Sequence, residues 1–289
     1  MENNTIKKRS LWADVWIRLS RNRTAVFGMC LFGLIVLACA ASRIFMDFDT
    51  QIVAVDVVNQ LSGPSIGYPF GRDELGRNIM NRILWGGGTT IFIAVIALCF
   101  AFFMGTVLGT VSAYYGRVTD SIIMRLIDIV MAIPPILLMI TLATILTPST
   151  PNLILVVGIG LIPNQSRMVR GQVLSVVDKE FIEASKIQGA GDFKIIMTHV
   201  LPNALSPIIT TVILDIAYAV MVISTLSYLG LGIQAPNPEW GSMLAGGRGY
   251  IRYAWHISTF PGIILTLTII SLTLVGDGLR DALDPRMKR

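Results

Sequence analysis

Long uncharged runs alternate with short charged islands along this chain. Residues 25–42 carry no charge and are about long enough to cross a hydrocarbon core of roughly 30 Å. A second uncharged run, 83–116, holds a span expected at 89–113, and four more are expected at 122–146, 152–167, 204–226 and 257–276. The fourth is short unless it continues toward Val176. The pattern predicts an all-α membrane protein with six transmembrane helices.

Three features inside the spans carry chemistry or packing. Gly105 and Gly109 stand one helical turn apart in the second span, a spacing that lets two helices approach closely. Pro134 and Pro135 interrupt the third and must free backbone groups in mid-membrane, which is tolerated only beside protein or a water-filled cavity; this helix is therefore a candidate for lining a path. Asp215 falls near the middle of the fifth. Two readings of it stand side by side: a carboxylate facing a translocation path, or one bonded to a Ser, Thr or Tyr of a neighbouring helix.

The segments between the spans are equally patterned. In residues 1–24, Leu11, Trp12, Val15, Trp16 and Leu19 recur at helical spacing among Lys7, Lys8, Arg9, Arg18, Arg21 and Arg23, which predicts an amphipathic helix at the membrane face. Residues 43–88 read as an exposed loop, in which Asp73 can cap a helix from Glu74 with Ile79, Ile83 and Leu84 on one face. Residues 227–244 are too rich in Gly and Pro to span.

The polar island at 178–202 is suited to docking. Phe181, Ala184 and Ile187 recur every third residue and form one arc of a short helix that looks buried, while Lys179, Glu180, Glu183 and Lys186 fall mostly elsewhere. Asp178 is the expected N-cap, and Gly189 with Gly191 are expected to supply positive φ at its end. A second segment, capped by Asp192, is expected over 193–200 and closed by Pro202 and Asn203.

Glu183-Ala184-Ser185, with Gly189 at the seventh position and Leu201-Pro202 after it, resembles the EAA loop of binding-protein-dependent ABC importer permeases. Ser185 departs from the usual Ala. The segments 68–87 and 227–244, and His199 with Val200 to Asn203, are similar to the oligopeptide, dipeptide and nickel branch of that family. The resemblance runs from Trp12 to Pro285. It implies a type I importer permease fold whose cytoplasmic coupling helix, carrying Phe181, Glu183, Ala184, Ser185, Ile187, Gly189, Leu201 and Pro202, sits in a cleft of an ATPase. It also implies a second, related permease, two cytoplasmic ATPases that bind the ATP and Mg, and an extracytoplasmic substrate-binding protein. The cargo would be di- or oligopeptides, nickel or another metal chelate, with Asp215, Pro134 and Pro135 as candidates for the path. Many relatives carry Glu where this chain has Ile223, which weakens any transfer of substrate class.

Composition and charge sharpen this picture. With 53% hydrophobic residues, 14% charged residues and a mean hydropathy of +0.68, the chain is too apolar for a soluble domain. Its net charge of +5 is topological rather than a sign of nucleic-acid binding, because the basic residues flank the spans. With the N-terminus inside, seventeen of the 23 Lys and Arg fall on inner segments (1–24, 114–125, 167–200 and the 281–289 tail with Arg280) and six on outer ones. That predicts both termini and the island at 178–202 on the cytoplasmic side; the resemblance implies that the membrane is bacterial or archaeal and that residues 89–280 form a five-helix permease core. Cys30, Cys39 and Cys99 lie in apolar stretches without metal or disulfide spacing and read as small buried hydrophobes. His199, far from other ligands, reads as structural.

No Gly-x-x-x-x-Gly-Lys-Ser/Thr loop occurs, so ATP is expected on partner subunits and the chain is not expected to be an enzyme or to hold a cofactor. The alternative, an ion-gradient-driven secondary transporter, would show internal repeats and several intramembrane charges. An intramembrane enzyme would need paired catalytic groups at membrane depth.

Overall fold

The computed structural model describes residues 11–205 and 208–283, which are all-helical apart from loops and two isolated β-bridges. A short α1 (Leu11–Arg21) leads into α2 (Arg23–Phe45), and Asn22 between them caps α2 by accepting from the backbone N–H groups of Thr24 and Ala25. The α1 helix buries Val15 and Leu19 against Ala25, Leu279 and Ala282 and leaves Trp16 exposed. Its apolar face thus meets this chain's own last helix. Lys7, Lys8 and Arg9 lie outside the described residues.

The next helix, α3 (Ile79–Tyr115), has 37 residues and is about 55 Å long. It begins ten residues before the expected span, so the loop ends at Asn78 rather than 88. Asn78 accepts from the N–H of Met80 and Asn81 and is the cap. Asp73 is not a helix cap: it accepts from Arg77 Nε at 2.7 Å and lies 3.3 Å from Arg82 Nε, all three side chains being nearly sealed from solvent. A buried carboxylate is held by the strongest donors in reach, and here those are two guanidiniums.

After Gly116 the chain forms α4 (Arg117–Met131) and α5 (Pro135–Ile145). The expected third span is therefore two helices bent by 82° at Pro134, because Pro134 and Pro135 have no N–H to continue the α4 ladder and Pro135 starts α5. Helix α6 (Thr150–Val177) does run on past 167, carrying Pro163 inside it. Three short pieces follow, α7 (Glu180–Ile187), α8 (Asp192–Ile195) and α9 (Leu201–Leu205), with a π turn at Ile196–Val200. Helices α10 (Ile209–Tyr228), α11 (Trp240–Gly247) and α12 (His256–Leu283) complete the described chain.

Four described helices, α2, α3, α10 and α12, are long and apolar enough to cross a membrane alone, and the bent α4–α5 pair makes a fifth if counted as one. The six expected spans are thus matched only roughly. Helix α6 has the length, but Asn164, Gln165, Arg167, Arg170 and Gln172 in its second half make it too polar for the same test. Cys39 is buried, whereas Cys30 and Cys99 are exposed, contrary to expectation, because the faces of α2 and α3 that carry them have no neighbour in this chain.

The apolar core joins α3, α5, α6 and α10 through Ile93, Ala97, Met139, Val157, Val220 and Ile223. Its tightest line of contact is α3 on α6. A Cβ added at Gly105 would lie 2.5 Å from Gln165 Cβ, and one at Gly109 would lie 2.5 Å from the Ser166 carbonyl oxygen. Both glycines are therefore required by a backbone approach that the sequence spacing anticipates.

Helix ends also fix the topology. Arg43 at the end of α2 bonds Thr89 and the Trp85 carbonyl near the start of α3, and Ala25 at the start of α2 meets Gly278 near the end of α12. Antiparallel packing therefore brings α1, the start of α2 and the ends of α3 and α12 to one side of the bundle. The prediction is that Gly105→Ala lowers the thermal midpoint of the purified protein by the equivalent of about 1–3 kcal/mol, a typical overpacking penalty. Gly33→Ala, with nothing within 4 Å of its added Cβ, should leave the midpoint unchanged or raise it.

Candidate functional site

The segment 178–205 folds as a compact helical unit at the ends of α3 and α6. Its seat is apolar: Ile182 of α7, Ile195 of α8, Val200 and Ala204 are buried against Ala113 and Tyr114 of α3 and Val169, Val173 and Val176 of α6. Ile182 is wholly buried, while Phe181, Ala184 and Ile187 are exposed, Ile187 by 81%. The arc that looked buried in the sequence is thus turned outward. Tertiary packing chose the residue beside it as the anchor.

Phe193 at 78% and Met197 at 50% are further exposed apolar side chains of the segment. Neither was singled out in the sequence, although Phe193 and Met197 repeat the i, i+4 spacing of one helix face. Glu183 is exposed, Leu201 is half-buried and Pro202 is exposed.

The ends of these helices differ from expectation in three places. Asp178 closes α6 instead of capping α7, whose cap position is taken by Lys179 without a side-chain bond. Gly189 has φ +79° but Gly191 has φ −68°. The N–H of Gly189 reaches the Lys186 carbonyl and that of Ala190 the Ser185 carbonyl, a helix stop that needs one left-handed residue only. Pro202 does not close the second segment: the chain runs on without a break from α8 through the π turn at Ile196–Val200 into α9, which carries Pro202. Asp192 is the first residue of α8 and Gly191 its cap position. The Ser185 hydroxyl donates to the Phe181 carbonyl at 2.8 Å, so a hydroxyl in place of a methyl group is absorbed by the helix itself.

Between the helices, charge is paired. The Arg170 guanidinium grips both oxygens of Asp120 at 2.6 Å, tying α6 to α4. Ser112 of α3 donates to the same carboxylate, and Arg167 pairs with Asp128. Asp215 accepts from Gln165 Nε2 at 3.0 Å. The partner is an amide on α6 rather than the Ser, Thr or Tyr considered from sequence. Gln165 is buried, and its Oε1 has no partner. Pro134 and Pro135 are exposed at the α4–α5 bend. Among the described residues no cluster of His, Cys, Asp or Glu could hold a metal ion.

At the opposite end lies a latch that sequence reasoning missed. Glu239 and Trp240 are both fully buried. Glu239 caps α11 through the Ser242 N–H and accepts from Thr90 of α3 and Ser224 of α10. Burial pushes its pKa up, while the N–H groups of Gly241 and Ser242 hold it down. Trp240 donates to the Ile83 carbonyl at 2.9 Å, and its ring occupies the space that a side chain at Gly87 would fill. The loop thereby clamps α3 to α10.

The described residues thus form a helical bundle with a small unit seated at one end that leaves several apolar side chains exposed. Residues 105–289 match the family of binding-protein-dependent transport system inner membrane components, and residues 10–64 match the N-terminal TM domain of oligopeptide transport permease C. The chain belongs to the former family and is a multi-pass membrane protein. It is 38% identical to the dipeptide transport system permease protein DppC of Alkalihalophilus pseudofirmus, over 96% of this chain and 91% of that protein. DppC of Haemophilus influenzae is 34% identical over 96% and 95% of the two chains. The glutathione transport system permease protein GsiD of Pectobacterium atrosepticum is 36% identical over 97% and 93%. Among solved structures, an inward-facing MetNI methionine ABC transporter superposes with a TM-score of 0.58 at 19% identity, over 71% of this chain and 98% of that one, which establishes the shared fold.

Trp240→Ala should lower stability by about 3–5 kcal/mol, the range for deleting a buried Trp. Thermal unfolding of the purified chain is the measurement, and a drop no larger than for exposed Trp255→Ala would show that the latch is not a principal clamp.

Proposed function

We propose that this chain is a permease subunit of an ATP-driven importer that carries di- or oligopeptides across the cytoplasmic membrane, with both termini in the cytoplasm. The observation that carries the reading is the exposed apolar face of 178–205, Phe181, Ala184, Ile187, Phe193 and Met197, on a unit that is itself anchored by Ile182 and Ile195. A rigid seat with an apolar outer face fits insertion into a pocket of a water-soluble partner. Glu183, Ser185, Gly189, Leu201 and Pro202 shape that unit, and the partner is a cytoplasmic ATPase that supplies ATP and Mg.

Several further observations support the arrangement. Packing brings α1, the ends of α3 and α12 and the 178–205 unit to one side, which is also the side of most basic residues, as expected for a cytoplasmic face. The named relatives are permeases of dipeptide and glutathione transport systems, which favours peptide cargo over nickel. One chain offers too few spans to surround a peptide, so a second related permease, two ATPases and an extracytoplasmic binding protein complete the assembly. ATPase closure pulls the unit, and the attached α6 and α10 shift access from one side of the membrane to the other. Asp215, half-buried in α10 against Gln165, is the path residue in this reading, near the groups the cargo passes.

Ile187→Glu should weaken ATPase retention by roughly thirtyfold or more, the effect of losing a hot spot worth about 2 kcal/mol. Co-purification and ATP-dependent uptake in vesicles measure it, and wild-type retention would remove the docking role. Asp215→Asn should reduce uptake of cationic peptides more than of neutral ones. Equal uptake of both at wild-type rates would remove Asp215 from the path.

A further inference from the structure

Tyr114 is the penultimate residue of α3 and is 9% exposed. Its hydroxyl donates to Asp192 Oδ1, on the first residue of α8, at 2.8 Å. The ammonium of Lys186, in the last turn of α7, lies 5.2 Å from the centre of its ring. One side chain of α3 therefore touches α7 and α8 of the docking unit, one on each side of the left-handed turn at Gly189.

The connectivity gives this contact its importance. Helix α6 runs directly into the unit through Asp178, and α10 follows it in the chain, so both are pulled covalently when the unit moves. Helix α3 has no such link. It packs on α6 through Gly105 and Gly109, a van der Waals contact between backbones. The apolar seat shared by Tyr114, Ile182 and Ile195 is likewise non-directional. A hydrogen bond of ordinary length has a preferred distance and angle, and this one joins α3 to the unit.

We infer that Tyr114 is a positioning residue for transport: its hydrogen bond to Asp192, braced by Lys186 over the ring, transmits displacement of the docking unit to α3. This rests on the reading of 178–205 as the ATPase-docking unit. Two residues earlier, Ser112 donates to Asp120, which Arg170 of α6 also holds. The end of α3 thus gathers links to α4 and α6 as well, and a pull arriving at Tyr114 reaches three helices together.

The test uses the full assembly, with its partner permease, ATPases and binding protein, in proteoliposomes with labelled dialanine and trialanine as probes. In Tyr114→Phe, binding-protein-stimulated ATP hydrolysis should persist while ATP consumed per peptide imported rises about fivefold, the factor for one ordinary hydrogen bond. Asp192→Ala should match it, and the double variant should be no worse than either, as for two ends of one bond. Asp192→Asn, whose amide oxygen still accepts, should stay near the wild-type ratio. An unchanged ratio in Tyr114→Phe overturns the inference. So does Asp192→Asn failing as badly as Asp192→Ala. Should Tyr114→Phe fail to assemble, the two Asp192 variants, which leave the ring in place, decide. If wild-type assemblies import peptide without ATP, or lose no ATPase when the exposed face is altered, the docking reading itself falls, whatever Tyr114 does.

Discussion

The close approach of α3 to α6 is the constraint from which the rest of the architecture follows. With no side chain at Gly105 or Gly109, the two backbones meet at Gln165, Ser166 and Val169, and dispersion contacts accumulate where water has no role in driving association. That contact fixes where Arg170 can meet Asp120, where Gln165 can reach Asp215, and where the C-terminal half of α6 presents Val173 and Val176 to the docking unit. Of the polar residues on α6, which would be costly against lipid, Gln165, Arg167 and Arg170 are brought opposite Asp215, Asp128 and Asp120.

The docking unit shows how a small helical segment gains a defined orientation. Helix α7, of 8 residues, is too short to be stable alone, so its order is borrowed from the seat. Ile182 and Ile195 point into that seat and fix the rotation of α7 and α8. Once they are buried, the 3.6-residue period leaves Phe181, Ile187 and Phe193 no choice but to face out. The unit is held firmly on the ends of α3 and α6 and leaves apolar side chains exposed.

The other end of the bundle is built on different terms. Glu239 and Trp240 are sealed between α3 and α10, and Asp73 is sealed with Arg77 and Arg82. Buried charges and donors of this kind are strongly selective about geometry, since displacing one partner leaves the other desolvated. The loops at this end are therefore held in one arrangement by polar contacts, whereas the docking end is held by apolar ones and carries its polar links at the helix termini.

Length and uncharged runs determined the all-α membrane class and the positions of α2, α3, α10 and α12, because exclusion of charge from hydrocarbon acts locally on sequence. Glycine spacing at Gly105 and Gly109 and the stop at Gly189 were legible for the same reason: each is set by neighbours within a turn or two. The tertiary structure alone decided which arc of α7 is buried, since the sequence offers Ile182 and Phe181 as equally apolar and only the seat of Val169, Val173 and Ile195 distinguishes them. It also decided that Asp73 serves two arginines instead of a helix end, that Gln165 faces Asp215, and that Glu239 closes on Thr90 149 residues away in the chain. Such pairings depend on distances that no local pattern encodes, and the strength of a buried polar contact comes from the surrounding fold that excludes water from it.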